Sequence, residues 1–169
     1  MACVMLLRLG RLGMTSPFHR ILCAVDFDDN CTATIRTARG LLPPGGQLFL
    51  FHAMRFPFAL TRDEADLPIL NAKERLREIV DEQLGKGAAC EMIIEPSDDV
   101  AKSILEAARR LSAQCIVIAT HARKGIDRFF LGSVAEQVVR AASCPVMTIR
   151  PQESAEHGDT GHPSRRNAE

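Results

Sequence analysis

"RILCAVD", residues Arg20 to Asp26, is apolar almost throughout and ends in an acid. A strand with one face in water alternates apolar and polar side chains; a strand covered on both faces does not. This run therefore reads as a buried strand of a parallel sheet, with helices packed on both sides. The residues that follow fit. After Phe27-Asp28-Asp29-Asn30, the positions Ile35, Ala38, Leu41 and Leu42 recur at helical spacing, with Asp29 or Asn30 as the cap. Pro43-Pro44-Gly45-Gly46 ends that helix. "QLFLFHA", Gln47 to Ala53, is a second strand.

The same alternation runs to the end of the ordered pattern. A polar connection leads into a helix with Ile69, Ala72, Leu76, Ile79 and Val80 on one face. Its other face carries Glu74, Arg75, Arg77, Glu78 and Asp81, and Gly85 and Gly87 stop it. A weaker strand is expected over Ala89 to Ile94. Ser97-Asp98-Asp99 then start a helix with Val100, Ile104, Ala107, Ala108 and Leu111 facing inward. Cys115 to Ala119 is the fourth strand, Ser133 to Ala142 the fourth helix and Pro145 to Ile149 the last strand. The order βαβαβαβαβ implies one α/β domain, an open parallel five-stranded sheet with right-handed crossovers and helices on both faces. The domain is expected over residues 18–151. Residues 1–17 read as a disordered extension or a misassigned start, since Met14 precedes Thr-Ser-Pro, and residues 152–169 as a disordered tail.

Composition narrows the class. The chain has 169 residues, 46% of them hydrophobic, enough for one domain with an aliphatic core. Lys and Arg number 21, as do Asp and Glu, and a net charge of zero argues against a general nucleic-acid binder. The apolar run Cys3 to Leu7 is too short for a secretory signal, and no stretch approaches the roughly 20 apolar residues of a membrane span. The 6 cysteines form no CxxC pair and no zinc-spaced cluster. Cys23 and Cys115 fall inside strands as small buried hydrophobes, and nothing marks Cys144 as activated. A reducing, cytoplasmic setting follows.

In an open α/β sheet, ligands sit beyond the carboxyl ends of the strands where the winding reverses. Two features converge there if the first and fourth strands are neighbours: Asp26, and the loop Ala119 to Leu131. That loop ends in Gly132 and Ser133-x-x-Glu136, a capping-box pattern at a helix start. Unpaired N–H groups and the helix dipole favour an anion at such a place, with Arg123, Lys124 and Arg128 nearby. Asp26 suits a ribose hydroxyl or a base amino group. The plainer alternatives are a cap that is only a cap, solvated loop cations, and an Asp that closes the next turn. His121 and His52 read as structural, with His52 bonding backbone near the sheet edge. The chain has no GxxxxGK[ST], no GxGxxG after the first strand, no GxSxG and no HExxH. With no evident nucleophile–base pair, no dedicated catalysis is expected.

The stretch THARKGIDRFFLGSVAEQVVRAASCPVMTIR, Thr120 to Arg150, resembles the C-terminal signature of the universal stress protein family. "RILCAVDF" resembles that family's first strand and "LFLFHAM" its second. The resemblance implies a Rossmann-like sheet in strand order 3-2-1-4-5, a homodimer formed through the last strand and, in one branch, ATP held by a Gly-x2-Gly-x9-Gly-Ser/Thr loop. Laid on this chain, the glycines fall on Ala119, Ala122 and Gly132, followed by Ser133. The strand-one acid falls on Asp26, flanked by Ala24 and Val25, and the backbone that reads adenine on Ala53. Phosphate contacts fall on Ala122, Gly132, Ser133, Val134 and Ala135, with Thr120 and Arg123 beside them. Ala119 is a mild departure at a strand end. Ala122 is a stronger one: a left-handed alanine costs about 1–2 kcal/mol, and its methyl takes ligand space. The expectation is a regulatory stress-response module that binds ATP, or another adenine nucleotide, weakly, with Mg2+ accompanying the phosphates and an unidentified protein partner. The alternative is a nucleotide-independent dimer acting through protein contacts. An adenylate-forming enzyme ranks last, because "AVDFDDN" stands where an SGGxDS-type loop would be.

Overall fold

Residues 17–28, 30–55, 62–120 and 131–150 are described by the computed structural model, with side chains omitted at 62–65. Strands and helices alternate along them as β1 (Arg20–Ala24), α1 (Cys31–Gly40), β2 (Gln47–Met54), α2 (Arg62–Leu84), β3 (Glu91–Pro96), α3 (Val100–Arg110), β4 (Cys115–Ala119), α4 (Ser133–Ala141) and β5 (Val146–Ile149). Residues 1–16 and 151–169, which hold most of the expected extension and the tail, lie outside the described residues. No helix among the described residues is long and apolar enough to cross a membrane.

The strands form one parallel sheet in the order β3-β2-β1-β4-β5. β1 is central, with Ala24 level with Phe51 of β2 and with Ile118 of β4. Its near-continuous apolar sequence has the cause inferred from it: both faces are covered. Ile21, Cys23 and Val25 pack in a layer with Ile35 and Ala38 of α1 and Leu76 and Val80 of α2. Leu22 and Ala24 join the opposite layer with Ile104 and Ala107 of α3 and Ala135 and Val138 of α4. Each fully buried Leu, Ile or Val contributes about 1.5–3 kcal/mol relative to exposure.

Local chemistry sets the ends of the elements. Asp99 caps α3, its carboxylate accepting from the Lys102 N–H at 3.1 Å. Gly85 and Gly87, after α2, take φ of 89° and 78°, which alanine would resist. At the amino edge of the sheet, Gln114 Oε1 accepts from the His19 and Arg20 N–H groups, while the Arg20 guanidinium donates to the Leu111 carbonyl. That edge is stitched shut.

Four element ends show details that differ from the expectation or go beyond it. β3 runs Glu91–Pro96, not Ala89–Ile94, because the turn at Gly85–Gly87 reaches Ala88, and pairing with β2 starts at Glu91 opposite Phe49. α2 begins at Arg62 and takes Pro68 into its interior, although proline there removes one helical bond. α1 is preceded by Asn30, but the Asn30 side chain does not cap it; Asp29 lies outside the described residues. α4 is capped at Gly132, not at Ser133.

Candidate functional site

The carboxyl edge of the sheet opens where β1 and β4 part. Chain leaving β1 goes to the α1 layer; chain leaving β4 leads to α4 in the other layer. Beyond β1, the Val25 N–H donates to the Phe51 carbonyl at 2.9 Å. The Val25 carbonyl lies 2.8 Å from Nδ1 of His52. Asp26 follows, exposed, its Oδ1 accepting from the Asp28 N–H at 3.3 Å. The Asp28 carboxylate accepts from the Asn30 N–H and from the Asn30 side-chain amide, each at 2.9 Å. Between the two acids, Phe27 has φ 61°. A left-handed non-glycine costs roughly 1–2 kcal/mol, so something holds it there. Its ring lies 4.5 Å from that of His52, the Arg75 guanidinium sits 4.9 Å over it, and Arg75 also reaches the Phe27 carbonyl at 3.4 Å.

On the β4 side, Ala119 ends the strand with 7% exposure, so extended backbone accepts its methyl. Thr120 is buried, and both its N–H, at 2.8 Å, and its hydroxyl, at 3.3 Å, donate to the Ile149 carbonyl. Ala122 and Arg123 lie outside the described residues, as do His121, Lys124 and Arg128. The chain re-enters at Leu131. Gly132 has φ 72° and ψ 143°, a combination that side chains resist, and α4 starts at the next residue. An α-helix leaves its first N–H groups without intrahelical acceptors; here they belong to Ser133, Val134 and Ala135. The expected capping box is not formed. With Gly132 as the cap, Glu136 is the fourth helical residue, one too far on to bond back, and it pairs with Arg140 at 2.8 Å. Leu131, Val134 and Ala135 pack in the same layer as Ala24, Ala53 and Ile118, which brings the first turn of α4 to the ends of β1, β2 and β4.

The structure thus gathers Ala24, Val25, Asp26, Ala53, Ala119, Thr120, Gly132, Ser133, Val134 and Ala135 at one edge. Sequence reading missed the brace made by Phe27 and Arg75; its only trace was that Arg75 belonged to a charged helix face. Among the described residues the thiols are not activated. Burial pushes Cys31 up to about 11 and Cys115 up to about 12, and raises Cys144 as well. Among the described residues no group of three His, Cys, Asp or Glu side chains is placed to hold a metal ion.

A doubly wound α/β sheet with its open edge at the β1–β4 reversal defines a Rossmann-like fold. The model of the universal stress protein family matches residues 17–150, and the chain belongs to that family. A universal stress protein A homolog of Coxiella burnetii is 27% identical over 144 residues, 79% of this chain and 95% of that one. A universal stress protein of Methanocaldococcus jannaschii is 42% identical over 50 residues, 30% of this chain and only 29% of its own length. Among solved structures, a universal stress protein from Archaeoglobus fulgidus superposes with a TM-score of 0.59 at 27% identity, covering 76% of this chain and 96% of its own. The universal stress protein from the same organism in complex with dAMP gives 0.54 at 26% identity, covering 76% and 95%.

Proposed function

We propose that this protein binds an adenine nucleotide, ATP foremost, across the ends of β1, β2 and β4, and that occupancy serves regulation. One observation carries this: the first turn of α4, opened by Gly132 at φ 72°, packs in the same layer as Ala24 and Ala53 at the sheet's reversal. Phosphates meet the N–H groups of Gly132, Ser133, Val134 and Ala135, where the helix dipole adds about half a positive charge. Asp26 takes the ribose, beside Ala24 and Val25, and the base lies along the backbone of Ala53. Thr120 stands at the end of β4, and Ala122 and Arg123 belong to the same reading through the family loop that the sequence resembles. The dAMP complex of the Archaeoglobus fulgidus relative supports the ligand class. Mg2+ arrives with the phosphates. Ala122 weakens the site, by about tenfold for each 1.4 kcal/mol. Nucleotide bound to the loop after β4 alters a surface that a protein partner reads.

Denaturing freshly purified protein and identifying any released nucleotide, then titrating ATP into the stripped protein by calorimetry, tests this. Released adenine nucleotide or saturable ATP binding is expected; neither would leave the nucleotide-independent dimer, which Ala119 and Ala122 in glycine positions favour.

A further inference from the structure

His52 occupies a hydrogen bond that the sheet would otherwise use. In parallel pairing, successive residues turn their N–H and C=O groups to opposite neighbours. The Phe51 carbonyl accepts from Val25, so Phe51 faces β1; the Met54 carbonyl accepts from the Ser97 N–H at 2.9 Å, so Met54 faces β3. Ala53 therefore turns its N–H and C=O toward β1. The next rung would run from the Ala53 N–H to the Val25 carbonyl. Among the described residues, however, the last backbone rung between these strands is Val25 to Phe51. Nδ1 of His52 lies 2.8 Å from the Val25 carbonyl instead. A carbonyl only accepts, so Nδ1 carries the proton and donates. The ring is held in place by Phe27 at 4.5 Å, itself beneath Arg75.

Resting on the nucleotide reading, we infer that His52 is a positioning residue: by satisfying the Val25 carbonyl it keeps β1 and β2 from zipping further, and so reserves the Ala53 amide and carbonyl for the base. A donor and an acceptor side by side on one residue match the adenine edge, where N1 accepts and the 6-amino group donates. Guanine presents the opposite pair. His52 thereby sets base selectivity without touching the ligand.

Amide-resolved hydrogen exchange on the full apo chain, with calorimetry of AMP and GMP, tests this in wild type, His52→Leu and His52→Asn. In wild type the Ala53 amide should exchange at least about tenfold faster than that of Phe51, and AMP should slow it. In His52→Leu the rung closes: Ala53 gains about tenfold protection, AMP affinity drops about tenfold, and the preference for AMP over GMP shrinks. His52→Asn, whose amide can reach the same carbonyl, should behave as wild type. An AMP-binding protein whose Ala53 amide is already as protected as Phe51 without ligand overturns this inference alone, whether or not the leucine variant folds. So does unchanged Ala53 exchange in a folded leucine variant. A wild type that binds neither AMP nor ATP overturns both readings.

Discussion

Two acids after β1 divide their work. Asp26 is exposed and accepts from the Asp28 N–H at 3.3 Å, whereas Asp28 accepts two 2.9 Å bonds from Asn30. Asp26→Asn should therefore weaken ATP binding about tenfold and leave the apo thermal midpoint nearly unmoved, while Asp28→Ala should cost about 1 kcal/mol of stability, as lost caps do. Thermal melts with and without ATP separate them; a large apo loss in Asp26→Asn makes that acid a turn residue. The thiol of Cys31 gives a pH dependence. Its ordinary value is 9.0, and burial lifts it to about 11. Below pH 9 both states hold the proton and nothing changes. From 9 to 11 the unfolded chain releases it first, so stability falls with rising pH, by roughly 2–3 kcal/mol in all. Urea midpoints of wild type and Cys31→Ala across that range check it, and the variant should fall less. Asp26 was legible in the sequence because an acid ending a buried strand is unusual. The left-handed Phe27 was not, since the His52 and Arg75 contacts around it come from distant elements.

At the scale of elements, periodicity located all nine segments, and composition blurred their ends. β3 is the plainest case. It is an edge strand with Glu91, Glu95 and Pro96 at its ends, so the window Ala89 to Ile94 looks more like a strand than the segment that pairs. The start of α4 is another: Ser133 is the better cap by type, but glycine's access to φ 72° put the cap one residue earlier. The junction between β4 and α4 is where binding should be tunable. Ala119 belongs to a strand and tolerates its methyl. Ala122 stands where the family loop has glycine. Ala122→Gly should tighten ATP binding by about five- to thirtyfold, from about 1–2 kcal/mol of relieved strain, less up to ~1 kcal/mol for a looser free loop. Ala119→Gly should do much less. Calorimetry on both variants decides, and no gain in Ala122→Gly means that its methyl is not the obstacle.

For the molecule as a whole, the two edges of the sheet differ. β3 is guarded by acids and a proline, and Arg110 occupies Glu95. β5 is Val-Met-Thr-Ile, with no charge. The carbonyls of Pro145 and Ile149 serve β4, so Val146 and Thr148 direct their backbone groups outward. A homodimer joined along β5 is expected by sedimentation equilibrium at micromolar concentration, and Thr148→Pro, which removes one outward N–H and spares the β4 bonds, should shift it to monomer. A wild type that stays monomeric ends that expectation. The sheet is also a partition. Among the described residues its two apolar layers hold different helices, with the strands between them. A nucleotide gripping Asp26 on one side and the first turn of α4 on the other would be a clasp across that partition. Its binding energy would make two separately fraying halves open together or not at all, and the fold would be most cooperative when it is carrying its passenger.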